Sequence, residues 1–185
     1  VDHIVSDCRP SLVVYQEEFA SLIEKLPQNI APQNKLLMSE FGRHTHHVHI
    51  TDVPFQAVAD DPAMIIYTSG TTGAPKGATL THSMIFWNSV NTTLRLNINQ
   101  NDCAVIFLPF FHTGGWNVLT TPFLHRGAKL IFLKKFDTDR ILQLSESDKC
   151  TILFGVPTTM DMMARSPAFE KCNLSSMRYS IVGGE

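Results

Sequence analysis

Short apolar segments of four to six residues recur along the chain and limit its fold more than any other feature of the sequence. Each is rich in β-branched and aromatic residues and shows little polar–apolar alternation, which is typical of strands buried on both faces of a parallel sheet. The segments are SLVVY (11–15), AMIIY (63–67), AVIFL (104–108), AKLIFL (128–133), TILF (151–154) and RYSIV (178–182). The region 27–61 is predicted to be an irregular connection with one short strand at KLLM (35–38).

Helical patterns lie between these segments. Phe19, Leu22, Ile23 and Leu26 follow helical spacing and form one apolar stripe. Further helices are predicted over residues 81–96, 137–146 and 157–166, each of which opens with a cap residue or a proline. The stretch FLHRG indicates a helix that ends at Gly127. This alternation of strands and helices predicts an α/β fold with a mostly parallel sheet flanked by helices.

Charge and composition argue against several classes of function. The net charge is −2 and there is no basic block, so neither nucleic acid nor an anionic membrane is an expected partner. No apolar run approaches the roughly 20 residues of a transmembrane segment. The four cysteines show no CxxC spacing, which favours reduced thiols and a cytoplasmic location. His44, His46, His47 and His49 lack a nearby completing ligand set, so we expect a solvated loop there and no metal site.

The stretch YTSGTTGAPKG (67–77) combines three glycines, four serine or threonine residues and one lysine. It follows a predicted strand, which is where open α/β sheets bind their ligands. Backbone N–H groups, hydroxyls and an ammonium together suit a phosphate. The spacing fits neither the Walker A loop nor the dinucleotide pattern G-x-G-x-x-G. The alternative is a Gly/Ser/Thr-rich surface linker.

This stretch resembles the signature phosphate loop of the adenylate-forming superfamily, which comprises acyl- and aryl-CoA synthetases, luciferases and peptide-synthetase adenylation domains. LPFFHTGGW (108–116) resembles the next signature, in which a strand runs into the helix of the acyl pocket. GVPTTM (155–160) resembles a turn that lines the pocket, and VGGE (182–185) resembles the start of the segment against adenine. The resemblance covers essentially the whole chain. It implies that residues 1–185 form the central part of the ATP- and acyl-binding N-terminal domain, without the C-terminal lid.

The resemblance implies an acyl-CoA ligase that works in two steps. A carboxylate attacks the α-phosphorus of ATP, which gives an acyl-adenylate and pyrophosphate, and coenzyme A then takes the acyl group. The implied partners are a carboxylic acid, ATP and coenzyme A, with Mg²⁺ held by a residue outside this chain. The ribose-binding aspartate and the lid lysine would also lie outside it. We therefore expect the fragment alone to be inactive and to self-associate, for example as a homodimer.

The resemblance also implies a role for individual residues. The implied phosphate-binding residues are Thr68, Ser69, Gly70, Thr71, Thr72, Gly73 and Lys76, of which Lys76 would also act in catalysis. The implied boundary between adenine and the acyl group comprises Gly183, Gly184 and Glu185. The candidate pocket residues are His112, Trp116, Asn117, Phe154, Gly155, Val156 and Thr158. His112 would border the carboxylate and the thioester channel, in a catalytic role.

His112 also bears on the class of acid. In amino-acid-activating domains the matching position tends to hold an aspartate that pairs with the substrate ammonium. An imidazole cannot supply that permanent negative charge. The sequence therefore favours a fatty or aryl acid. The alternatives are an amino-acid-activating adenylation domain and a non-catalytic nucleotide- or acyl-binding module.

Overall fold

The computed structural model describes residues 1–45, 56–69 and 73–184. The chain divides into a first unit, Val1–Val58 with Tyr67–Thr79, and a second unit, Ala59–Ile66 with Leu80–Glu185. The residues outside the described ranges include some named above: His46, His47, His49, Gly70, Thr71, Thr72 and Glu185.

Helices and strands alternate along the described chain, as the apolar segments predict. The helices are α1 Asp2–Cys8, α2 Ala20–Glu24, α3 Met38–Thr45, α4 His82–Leu96, α5 Thr113–Trp116, α6 Thr120–Arg126, α7 Thr138–Ser147 and α8 Pro157–Ala164. The strands are β1 Leu12–Tyr15, β2 Asn34–Leu37, β3 Pro62–Thr68, β4 Lys76–Thr81, β5 Cys103–Ile106, β6 Lys129–Phe132, β7 Ile152–Gly155 and β8 Tyr179–Val182. Among the described helices, none is long and apolar enough to cross a bilayer.

The strand pairing confirms the predicted α/β fold. In the first unit, β1 runs parallel to β2, with Leu12 opposite Asn34. In the second unit, β5 runs parallel to β6 and β7 runs parallel to β8. The backbone N–H of Thr151 donates to the carbonyl of Cys103 at 2.9 Å and joins the start of β7 to the start of β5. The strands β6, β5, β7 and β8 therefore follow one another across the second unit. β3 and β4 form a further pair.

The core of the second unit lies on both sides of β5. Val105 belongs to one buried cluster, which includes Ile141 of α7. Ala104 and Ile106 belong to a second cluster, which includes Phe123 of α6. Successive strand residues point to opposite faces of a sheet, so the continuous apolar run at 103–107 supplies both clusters. The prediction of a strand buried on both faces is confirmed for β5.

That prediction is wrong for β1, β3, β6 and β8; both ends of β6 are exposed and its middle is only partly buried. Residues of β1 and β8 alternate between exposed and partly buried, and most of β3 is exposed or partly buried. Among the described strands, β1 has only β2 beside it and β8 has only β7. Strands at such an edge have fewer neighbours to cover their faces, although their composition matches that of a central strand.

The helices α4, α6, α7 and α8 lie where the sequence predicts them. The Thr81 hydroxyl accepts a hydrogen bond from the N–H of Met84 at 3.2 Å and caps α4. Asp137 caps α7 in the same manner, α8 begins at Pro157, and α6 ends at Gly127 with φ of +67°. Each of these boundaries follows from local capping chemistry, which the sequence displays directly.

Two predictions near the N-terminus are only partly confirmed. A 3-10 turn at Glu17–Phe19 leads into the short α2, and Phe19 and Leu22 are each 46% exposed, while Ile23 and Leu26 are buried. Only half of the predicted apolar stripe therefore packs into the core. The region 27–61 was predicted to be irregular apart from one short strand, but the helix α3 lies inside it, directly after β2.

Candidate functional site

A cleft of about 620 Å³ opens in the second unit where three strands end. Leu108 and Pro109 follow β5, Phe154 and Val156 lie at the end of β7, and Ile181 precedes the end of β8. The remaining lining residues are Phe111, His112, Thr113, Gly114, Val118, Gly183 and Gly184. The described lining contains no aspartate, glutamate, lysine or arginine. A cleft of this size and chemistry suits an apolar group with few polar contacts.

His112 is the titratable side chain of that lining. It has an extended backbone and caps α5, and its Nδ1 accepts a hydrogen bond from the N–H of Gly114 at 3.0 Å. A nitrogen that accepts a hydrogen bond carries no proton, so the neutral imidazole carries its proton on Nε2. A donor of this kind suits a carboxylate or carbonyl oxygen of a ligand.

The helix α5 is packed tightly against the segment that forms one wall of the cleft. A Cβ on Gly115 would lie 2.4 Å from the carbonyl oxygen of Pro109, so this position requires glycine. The buried hydroxyl of Thr120 donates to the Gly115 carbonyl at 2.6 Å. The ring of Trp116 packs against that of Phe110 at a tilt of 52°, with a centroid separation of 4.6 Å. These contacts fix the short helix that His112 caps.

Asn117, like Trp116, lies outside the described lining of the cleft. Its side-chain Nδ2 donates to the Thr113 hydroxyl at 2.9 Å, and its backbone carbonyl accepts a hydrogen bond from Asn88 at 2.7 Å. Asn117 thus connects α5 to α4.

The end of β7 and the residue that follows the strand contribute two lining residues, Phe154 and Val156. Between them lies Gly155, where a Cβ would approach the Thr159 hydroxyl to 2.7 Å. Gly155 therefore packs against the start of α8 and is outside the described lining, as is the exposed Thr158.

The end of β8 contributes the two described glycines of VGGE, Gly183 and Gly184. Gly184 adopts φ of +80°, a conformation that favours glycine. A Cβ there would lie 3.5 Å from Cγ1 of Val156. The ends of β7 and β8 therefore meet at the cleft.

The first unit carries the described part of the stretch that resembles a phosphate loop. Thr68 ends β3, Ser69 follows it, and both are exposed. Gly73 has φ of +94°, which favours glycine, and the exposed Lys76 begins β4. These side chains lie at the surface of the unit, where a phosphate can reach them.

The helix α1 contacts both ends of this stretch. The Tyr67 hydroxyl donates to Oδ2 of Asp7 at 2.6 Å, and Nε2 of His3 donates to the Pro75 carbonyl at 2.8 Å. The hydrogen bond to the Asp7 carboxylate raises the pKa of Tyr67 well above its ordinary value. The phenol therefore stays protonated and remains a donor.

Several residues of the cleft lining were missed in the sequence. Five of them, Leu108, Pro109, Phe111, Thr113 and Gly114, belong to the motif LPFFHTGGW and could have been named from it. Val118 and Ile181 carry no such signal. Only the arrangement of α5 and β8 brings them to the cleft.

The sequence and the fold both have known counterparts. Residues 1–185 match the family described as AMP-binding enzyme. The chain is 31% identical to a feruloyl-CoA synthase from an Amycolatopsis species over 185 residues, which are 100% of this chain and 36% of that protein. It is 31% identical to an indoleacetate–CoA ligase from Aromatoleum aromaticum over 190 residues, with 97% of this chain and 37% of that protein covered.

Solved structures share the fold over the whole chain. The inhibitor-bound N-terminal domain of FACL13 from Mycobacterium tuberculosis superposes with a TM-score of 0.91 at 24% identity, and the match covers 100% of this chain and 47% of that one. ATP-bound MatB from Rhodopseudomonas palustris superposes with a TM-score of 0.86 at 30% identity, and the match covers 99% of this chain and 37% of that one. The chain thus spans less than half the length of each of these four proteins.

Proposed function

The chain belongs to the AMP-binding enzyme family, and from this premise we propose that the protein carrying it is an ATP-dependent acid–thiol ligase. Its reaction joins a fatty or aryl carboxylic acid to AMP with release of pyrophosphate, and then transfers the acyl group to coenzyme A. The cleft at the ends of β5, β7 and β8 is the observation that carries this proposal. It offers an apolar volume of about 620 Å³ with one imidazole in its lining, which suits an acid with an apolar body.

In this proposal, His112 orients the acid. With Nδ1 occupied by the N–H of Gly114, Nε2 is the donor that would hold a carboxylate or acyl oxygen. Phe154, Val156, Gly183 and Gly184 contact the apolar part of the acid and the adjoining nucleotide. We place Trp116, Asn117, Gly155 and Thr158 behind this wall, as residues that support it, and we expect Glu185 to act in nucleotide binding.

The loop that includes Thr68, Ser69, Gly70, Thr71, Thr72, Gly73 and Lys76 binds the phosphates of ATP in this proposal. Pyrophosphate leaves with growing negative charge, and hydroxyls, backbone N–H groups and an ammonium stabilise that charge as it develops. Among these residues, Lys76 is the one whose side chain carries a full positive charge. Magnesium would add further positive charge when it is bound, and the described residues contain no cluster of three metal-ligating side chains from which we would assign its ligands.

Two other functions remain open to test. An amino-acid-activating domain would need a group that pairs with the substrate ammonium, and the described lining of the cleft holds no carboxylate. A non-catalytic binding module would bind ATP or an acid without turning either over. The first alternative predicts exchange only with amino acids and the second predicts no exchange, whereas the ligase predicts exchange with apolar acids.

The decisive experiment is ATP–pyrophosphate exchange by the full-length protein with a panel of aryl, medium-chain and amino acids. We expect exchange with apolar acids, and thioester formation when coenzyme A is added. Lys76→Ala should lower exchange by more than tenfold, because a charge-assisted contact to phosphate contributes about 1.5–3 kcal/mol. Exchange that depends only on amino acids, or binding without exchange, would contradict the proposal.

Three further properties of the proposal concern the chain and its setting. The isolated 185 residues should give no exchange, since they span 36% of a related synthase. All four cysteines are free, which suits a reducing compartment such as the cytoplasm. Exposed apolar side chains on α4, among them Trp87 and Leu94, support self-association of the isolated chain as a homodimer.

A further inference from the structure

Two side chains of the helix α1, those of His3 and Asp7, form hydrogen bonds with residues near the two ends of the stretch YTSGTTGAPKG. His3 and Asp7 are four residues apart and therefore lie on the same face of the helix. Asp7 accepts the hydroxyl hydrogen of Tyr67 at 2.6 Å, and His3 donates to the Pro75 carbonyl at 2.8 Å. These contacts join residues that are 60 and 72 positions apart in the sequence, so they are tertiary contacts that α1 brings about.

The two contacted residues mark the ends of the functional part of the loop. Tyr67 directly precedes Thr68 and Ser69, and Pro75 directly precedes Lys76. Ordering a glycine-rich chain segment around a ligand costs conformational entropy. Fixing the two ends beforehand lowers that cost, which strengthens binding without any new contact to the ligand.

The helix is itself held in place on its other side. Val5 is 5% exposed and packs in a core cluster with Ile23 and Leu26. At about 100° per residue, Val5 points roughly opposite to the face shared by His3 and Asp7. One face of α1 is therefore fixed to the core of the first unit, and the opposite face contacts the two ends of the loop.

We propose that His3 and Asp7 are positioning residues that set the two ends of the ATP phosphate loop. The proposal rests on the function proposed above, because it takes the loop to bind phosphate. Asp7 orients the strand end that presents Thr68, and His3 orients the backbone that presents Lys76. Neither residue touches the nucleotide. Both side chains are exposed, and exposed hydrogen bonds contribute little to global stability, so their removal should leave the fold intact.

Steady-state kinetics of the full-length ligase separate positioning from general stability. Asp7→Ala, Tyr67→Phe and His3→Ala each remove one hydrogen bond and should raise KM for ATP about three- to tenfold. Both kcat and the KM for the acid should stay within about twofold of their wild-type values. Asp7→Asn keeps an acceptor, and His3→Gln keeps an N–H donor, so both should restore most of the affinity for ATP. Ser6→Ala, on the same helix, is the matched control and should change nothing.

A double-mutant cycle tests the pairing itself. If Asp7 acts through Tyr67, the double variant Asp7→Ala with Tyr67→Phe should raise KM for ATP no further than either single variant. Additive effects would contradict the pairing. If a single variant had a lower melting temperature together with parallel changes in kcat and in both KM values, it would be destabilised, and the positioning role would be refuted.

Lys76→Ala distinguishes failure of this inference from failure of the proposed function. If Lys76→Ala impairs use of ATP while Asp7→Ala and His3→Ala leave KM for ATP unchanged, the positioning role is refuted and the phosphate loop stands. If Lys76→Ala also leaves use of ATP unchanged, the loop does not bind phosphate, and both proposals are refuted.

Discussion

Replacing Asp102 with asparagine tests whether a buried ion pair holds together the strands that form the cleft. Asp102 is 2% exposed and precedes β5. Its carboxylate accepts hydrogen bonds from the N–H of Asn99 at 2.8 Å, from the hydroxyl of Thr151 at 2.6 Å and from Nη1 of Arg178 at 2.8 Å to each oxygen. One carboxylate thereby connects the residues before β5, β7 and β8. Asp102→Asn keeps the shape, removes the charge and turns one acceptor into a donor.

The expected cost follows from what the substitution leaves behind. Removing one partner of a fully buried ion pair costs about 3–5 kcal/mol, because the other charge stays desolvated. The side chain of Arg178 is 32% exposed and can recover part of its hydration, which lowers the estimate. One N–H or O–H donor also loses its acceptor, at about 1–3 kcal/mol. We expect Asp102→Asn to lower the free energy of unfolding of the second unit by about 2–4 kcal/mol.

Urea unfolding of the 185-residue chain, followed by tryptophan fluorescence, measures this cost. Both tryptophans of the sequence, Trp87 and Trp116, lie in the second unit, so the signal reports the unit that contains Asp102. Asp148→Asn is the matched control, since the pair of Asp148 with Lys129 is at the surface and its loss should cost less than about 1 kcal/mol. If the two variants were equally stable, the argument from burial would be refuted.

The pH dependence gives a second check on the sign of the effect. Burial alone would raise the pKa of Asp102, but hydrogen bonds from Thr151, Asn99 and Arg178 outweigh it and hold the pKa below its usual value. A lowered pKa contributes stability that is fully present above the unfolded value of about 3.9 and is lost as the pH falls through the folded value. The difference in stability between wild type and Asp102→Asn should therefore shrink below about pH 4. A difference that grows on acidification would contradict the assignment.

Three further predictions concern packing, thiol reactivity and association. Gly115→Ala places a Cβ 2.4 Å from the Pro109 carbonyl oxygen and should cost about 1–3 kcal/mol in the same unfolding assay; a cost below about 0.5 kcal/mol would contradict the close packing. Burial raises the pKa values of Cys103 and Cys150, so iodoacetamide should alkylate them more slowly than Cys8, as followed by mass spectrometry; equal rates would show that the core opens readily. Leu94 is 75% exposed on α4, so Leu94→Glu should shift the isolated chain toward monomer in light scattering, and an unchanged mass would exclude this face.

The sequence was sufficient for features that depend on local chemistry. The apolar run at 103–107 is buried on both faces, and the cap residues Thr81 and Asp137 begin helices where expected. Such boundaries depend on a side chain and a backbone N–H three residues away, which a sequence shows directly. Parallel pairing also follows from composition, because parallel strands need apolar residues on both faces.

Tertiary context decided the features that the sequence did not show. The edge strands β1 and β8 have the composition of central strands, and only their neighbours in the fold reveal that one side is uncovered. In the same manner, the apolar spacing at 19–26 does not tell which half of the stripe meets the core. The contacts of His3 and Asp7 with the loop flanks join residues 60 or more positions apart, and no local signal marks them.

The cleft is formed by strand ends from distant parts of the sequence. Its lining comes from segments near residues 108–118, 154–156 and 181–184, which are distant in sequence and meet because β5, β7 and β8 all end there. An apolar lining disfavours any ligand charge that lacks a partner, because a buried unpaired charge costs several kcal/mol. For the acid of the proposed function, we therefore expect the charged end to stay near His112 while the apolar body enters the cleft. Under the proposed function, the shape of the wall at Phe154 and Val156 then decides which acid fits, and the imidazole decides which end faces the nucleotide.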